Sequence, residues 1–121
     1  MDKNFSELKA GDKFYIWLYN SLIEEKVKSI QTNQSVRELG KDERVFNVAA
    51  EVSVILDNGN SYYFSYGKDE TAMIWGSDGW NEYIILGTSK EAVKSLLQTQ
   101  LIADAKILED KTEKWLAEFD K

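Results

Sequence analysis

Val48-Ala49-Ala50-Glu51-Val52-Ser53-Val54-Ile55-Leu56 is followed by Asp57-Asn58-Gly59-Asn60 and then by Ser61-Tyr62-Tyr63-Phe64-Ser65-Tyr66. In the first run Val48, Ala50, Val52, Val54 and Leu56 recur at every second position, the period of a β-strand with one buried face. The second run is rich in aromatic residues, which favour a pleated surface. The Asn-Gly between them suits a tight reversal. The stretch from Phe46 to Tyr66 therefore reads as a central hairpin. Val52, Val54, Leu56 and Phe64 should lie inward, with Glu51 and Ser53 on the opposite face.

Upstream, Phe5 and Leu8 lead in and should cover one end of the core, and Gly11-Asp12 turns the chain into a strand over Lys13–Tyr19. Phe14, Ile16 and Leu18 alternate there with Tyr15, Trp17 and Tyr19, so both faces of this strand should be covered, one fully and one in part. Asn20-Ser21 is a turn into a second strand, Leu22 to Ile30, with Ile23, Val27 and Ile30 inward. The change of parity between Val27 and Ile30 calls for a β-bulge. Gln31 to Asn47 has no regular period. Ser35 with Glu38 and a terminal Gly40 fits one helical turn inside a long loop.

Downstream, Gly67-Lys68-Asp69-Glu70 is a charged turn and Thr71–Trp75 a short strand. Gly76–Gly79 is a loop, and Trp80–Leu86 is the last strand, ending at Gly87. From Thr88 the period changes. Thr88 and Glu91 have the spacing of a capping box, and Val93, Leu97, Leu101, Leu108, Trp115 and Phe119 share one helical sector. This predicts a long amphipathic helix over 88–120, broken or unbroken near 110–112. A straight helix of that length outruns a barrel formed by residues 8–87. Its far end must then fold back or pack on another chain.

Composition narrows the chemistry. At 121 residues the chain is one domain, and 43% hydrophobic content suffices for a core. There is no cysteine and no histidine, which removes disulfides, thiolate chemistry, serine–histidine triads and the commonest zinc ligands. These losses point away from an enzyme, and no cofactor is implied. The net charge of −6 opposes binding to phosphate backbones, although carboxylate mimicry of nucleic acid is compatible with it. No apolar run approaches the ~20 residues that span a bilayer. Met1–Glu7 lacks the apolar core of a secretory signal, so the cytoplasm is the expected compartment.

Leu8-Lys9-Ala10-Gly11-Asp12-Lys13-Phe14-Tyr15 resembles the opening of small Src-homology-3-like (SH3-like) barrels. Leu56-Asp57-Asn58-Gly59 with its following aromatics looks like their central hairpin. Leu86-Gly87-Thr88-Ser89-Lys90-Glu91-Ala92 is similar to the last strand and helix start of uncharacterised small proteins from bacteriophages and bacterial mobile elements. The resemblance covers roughly residues 8 to 100. It implies an α+β fold, a strongly bent antiparallel sheet or barrel of five to six strands followed by a helix, and it brings no catalytic residues.

Three constellations bear on function. Trp75, Trp80 and Tyr83 surround an acidic loop containing Asp78, a composition that stacks on sugars or holds cationic peptides. The same aromatics serve equally as core. Asp57-Asn58-Gly59-Asn60 lacks the alternating ligand spacing of a calcium loop and is explained as a turn. Glu24-Glu25 and Glu51 have nothing to fix their separation, so solvated surface accounts for them. The function expected from the sequence is a non-enzymatic protein-interaction module, an accessory protein of the phage or mobile-element kind. Trp115, Leu116 and Phe119 join the candidate partner-binding residues. The partner is a protein, and a homodimer through the C-terminal helix is one form of it. The competing reading is a sugar- or peptide-binding module at Trp75 and Trp80, and a third is a carboxylate-dependent hydrolase.

Overall fold

The computed structural model describes residues 3–39, 45–64, 67–77 and 82–120, with the backbone alone for 33–39 and 45–51. A short 3₁₀ turn (Phe5–Glu7) precedes six strands: β1 (Lys13–Leu18), β2 (Ser21–Leu39), β3 (Val45–Leu56), β4 (Ser61–Phe64), β5 (Ala72–Ser77) and β6 (Tyr83–Gly87). One helix, α1 (Lys90–Ala117), and a final 3₁₀ turn (Glu118–Asp120) follow. The strands form one antiparallel sheet in the order β4-β3-β2-β1-β6-β5, bent into a nearly closed barrel. The expected α+β class, strand number and C-terminal helix are what the chain adopts.

The inward face follows from the period of two. Val52, Val54, Leu56 and Phe64 are buried together with Phe5, Phe14, Ile16, Val27, Met73 and Leu86. Pairing steps from Val27 opposite Leu56 to Ser29 opposite Ile55, so β2 carries an extra residue there. That bulge lets Val27 and Ile30, three apart, both reach the core. At the central turn, Gly59 adopts φ 90°, and the Asn58 side chain accepts from the Asn60 N–H at 2.9 Å. The lead-in closes one end: Phe5 and Ser6 donate to the carbonyls of Glu70 and Lys68, and the Phe5 ring meets Phe64 edge-on at 4.9 Å.

A second core lies outside the barrel. Tyr15, Tyr83, Ile85 and Val93 are buried there, with Trp17, Ile74, Leu96 and Leu97 packed against them. Helix α1 covers this outer face. The two apolar faces of β1 are thus accounted for, Phe14 and Ile16 inward and Tyr15 and Trp17 under the helix.

Three expectations are corrected. Ser35–Leu39 is strand, not a helical turn: β2 and β3 pair from Val27/Leu56 to Leu39/Val45. Because β1 pairs no further along β2 than Lys26, and β4 no further along β3 than Val52, the distal halves of β2 and β3 form a two-stranded ribbon. A cross-strand ladder outcompetes a one-turn helix, which gains few bonds for its nucleation cost. The N-cap is Ser89, whose hydroxyl accepts from the Ala92 N–H at 3.1 Å, not Thr88. Thr88 instead donates its hydroxyl to the Lys3 carbonyl at 2.6 Å, tying the lead-in to the helix start. Gly76 and Ser77, expected in a loop, belong to β5. The helix itself runs unbroken through 110–112, where the Thr112 hydroxyl donates back to the Leu108 carbonyl.

Candidate interaction surfaces

The aromatic cluster expected around the acidic loop does not form one platform from the residues described. Trp75 and Tyr83 serve opposite faces of the sheet. The Trp75 indole N–H donates to the Tyr63 carbonyl at 2.9 Å, and its ring meets Tyr62 at 5.3 Å and 85°. Since β4 and β5 are the two edges of the sheet, this contact bridges the seam of the barrel. The indole stays 40% exposed. Tyr83 lies in the outer core and donates its hydroxyl to Asp104 of α1. Asp78 and Trp80 lie outside the described residues.

Tyr83 anchors the helix. Asp104 also accepts from the Gln100 side-chain amide at 3.2 Å, so one carboxylate joins two turns of α1 to β6. The bond to Asp104, reinforced by burial, raises the Tyr83 pKa above the ordinary phenol value. Tyr15 is also raised, by burial first and then by its bond to Glu24 at 3.0 Å. Glu24 is further met by Lys13 at 3.7 Å, and Glu25 faces the other way along β2. The Glu51 side chain lies outside the described set, and Glu24 is held as a structural partner of Tyr15. Among the described residues no three Asp or Glu side chains gather so as to hold a metal ion.

Two grooves flank the start of α1. One, of about 290 Å³, is lined by Lys3, Leu8, Asp12, Lys13, Tyr15 and Thr88. Its charges are matched internally, because Lys3 pairs with Asp12 at 2.9 Å and the Lys9 N–H also donates to Asp12. The Lys3 bond, then the Lys9 N–H, holds the Asp12 carboxyl below its ordinary range. The other, of about 480 Å³, runs between Glu70–Ala72 and the first turns of α1.

The remaining candidates meet on α1 beyond its anchor. From Ala105 to Asp120 every residue is exposed, because the barrel ends near Asp104. Trp115 and Leu116 are each 60% exposed and Phe119 85%. Leu101, Ile102, Ile107 and Leu108 extend this apolar surface towards the barrel. At 1.5 Å per residue, the part beyond Asp104 projects roughly 24 Å. Sequence reasoning missed the Tyr83–Asp104 anchor, and Asp104 at a helix position that should face the core was the signal for it. Among the described residues no helix is long and apolar enough to cross a membrane. No family model matches the chain, and neither a curated protein nor a solved structure is significantly similar to it.

Proposed function

We propose that this protein is a non-catalytic interaction module whose barrel holds out one end of a helix for a protein partner. The observation that carries this reading is the projecting half of α1. Leu108, Trp115, Leu116 and Phe119 are exposed there, on a segment with none of the described residues of the barrel beneath it. Short helices in water are marginal without tertiary packing, so a covering surface would stabilise fold and apolar face together. The missing histidine and cysteine support a binding role over a catalytic one. A cytoplasmic accessory role of the phage or mobile-element kind, implied by the sequence resemblance, belongs to the same proposal.

The test is affinity capture with the full chain as bait, beside a Trp115→Ala/Phe119→Ala variant with an unchanged barrel melt. A partner, or a second copy, retained by the native chain and lost by the variant is the expected result. Retention that ignores the double substitution would overturn the assignment of the surface. The sugar- or peptide-binding alternative rests on the exposed face of Trp75. The use of its indole N–H within the barrel weighs against it. A saturable change in tryptophan fluorescence with a simple oligosaccharide, abolished by Trp80→Ala, would favour that alternative.

A further inference from the structure

We infer that the partner of the projecting helix is a second copy of this chain, paired antiparallel over residues 101–119. This rests on the interaction reading above and adds an occupant and a register. Leu101, Leu108 and Trp115 repeat every seven residues, and Ala105, Thr112 and Phe119 repeat four positions after them. These two rows alternate by four and three along one face, the seam of a two-stranded coiled coil. They avoid Asp104 and Lys111, which lie to one side of the seam. Asp104 is already committed to Tyr83 on the barrel side.

Side-chain size fixes the direction. In a parallel pair Trp115 would meet Trp115 and Ala105 would meet Ala105, leaving one layer overfilled and another empty. Turning the second copy round a two-fold axis between Leu108 and Thr112 sets Trp115 against Ala105, Leu101 against Phe119, and Leu108 against Thr112. Trp115 then faces the small Ala105, and no layer holds two tryptophans or two alanines, as even packing requires. In the same register Ile102 and Leu116 meet beside the seam, which accounts for two exposed apolar residues outside the heptad rows.

Area and length agree with this register. From their exposures, Leu101, Ile102, Leu108, Trp115, Leu116 and Phe119 offer roughly 700 Å² of surface per chain, taking a free aromatic side chain as about 150–250 Å². Covering three-quarters of it in both copies removes about 1,000 Å², the lower end of specific interfaces. The paired segment spans roughly 27 Å, and its two ends fall where each barrel stops covering its own helix. The barrels therefore stand at opposite ends of the seam. Near the two-fold axis Glu109 faces Glu109 on one side and Lys111 faces Lys111 on the other. Those like pairs make the dimer weak and tightened by salt.

Light scattering on the full chain from about 5 to 200 µM should show a concentration-dependent dimer, as an interface of this size supports. Trp115→Ala should raise the dissociation constant about thirtyfold or more, the loss typical of a buried aromatic anchor, with no change in the barrel melt. Direction is read by disulfide trapping, since the chain has no cysteine of its own. Leu108→Cys and Thr112→Cys chains, mixed and mildly oxidised, should form the mixed disulfide in preference to either homodimer. Preferential homodisulfides would overturn the antiparallel register. A monomer across the whole concentration range would overturn self-pairing. If that monomer still captures a protein through Trp115 and Phe119, the broader interaction reading survives, and if it captures nothing, both fall.

Discussion

Gly87 sits where β6 hands over to α1, and replacing it by alanine tests how tightly helix and barrel are locked. It pairs with Tyr15 of β1 on one side and Ala72 of β5 on the other, so its backbone cannot move away. A Cβ at this position would overlap the Cγ2 of Val93 and lie 3.3 Å from the Ser89 carbonyl oxygen. Val93 is 2% exposed in the outer core, so its methyl has no free space to enter. Restoring contact at about 3.5–4 Å requires the first turn of α1 to shift by roughly 1–1.5 Å. Overpacking of this kind costs about 1–3 kcal/mol, and the lower chain entropy of alanine returns about 0.4–1 kcal/mol. Gly87→Ala should therefore destabilise by about 1–2 kcal/mol. Urea unfolding at low protein concentration, where association does not contribute, measures it. Val93→Ala alone should cost about 2 kcal/mol through lost burial. In that background Gly87→Ala should be close to neutral, a coupling of roughly 1–2 kcal/mol. Additivity of the two substitutions within about 0.5 kcal/mol would refute the close approach as the reason for glycine.

Val54→Asp should abolish cooperative unfolding, because it places an unpaired carboxylate in the barrel core; a normal thermal transition at pH 7 would contradict the register. Tyr83→Phe should destabilise by about 1–2 kcal/mol and speed amide exchange from Leu101 onward, since it removes the donor to Asp104. The raised Tyr83 pKa means that the folded chain holds this proton more tightly than the unfolded one. Its contribution is therefore full below about pH 10 and is lost as pH rises through the folded value, visible as weakened stability in alkaline unfolding that Tyr83→Phe no longer shows. For Asp12 the sign is opposite: its lowered pKa stabilises above the ordinary carboxylate value and fades as pH falls through the folded one. Asp12→Asn should flatten stability below about pH 4 in acid titration of the unfolding midpoint.

The legible parts of the fold are those where burial imposes a period. Val52, Val54 and Leu56 alternate because one face of β3 is dry, and the broken parity from Val27 to Ile30 marked the bulge because both side chains are needed inside. The distal ribbon was illegible for the same reason. Gln31–Leu39 offers only Val36 and Leu39 as apolar residues, so pairing with β3 left no period of two in the sequence. Ser35 and Glu38 then imitated a helix start. At α1 the sequence pattern places the cap one residue early, since Thr88 and Ser89 are both good caps and only the tertiary bond from Thr88 to Lys3 separates them. Of the aromatic candidates, composition could not tell Trp75, spent on bridging the barrel edges, from Trp115, left 60% exposed on the projecting helix. That difference is topological, because it depends on β4 and β5 being the two edges of one sheet.

The helix links these results. A barrel that needed only a lid over its outer face would be served by α1 as far as Asp104, where Val93, Leu96 and Leu97 have been covered and Tyr83 has been bonded. The chain continues for four more turns without glycine or proline, keeping Leu108, Trp115 and Phe119 in the phase of Leu101. That phase, kept beyond the described residues of the barrel, is the feature that the proposed pairing would use. A chain ending at Asp110 separates the two halves of the helix. It should keep the barrel melt, because the anchor at Asp104 is intact, and it should lose association, because Thr112, Trp115 and Phe119 are gone. If shortening lowered the barrel melt by more than about 4 °C at a concentration where the full chain is monomeric, the loss expected for roughly 1 kcal/mol in a domain of this size, the distal half would be contributing to its own fold and not to a partner's.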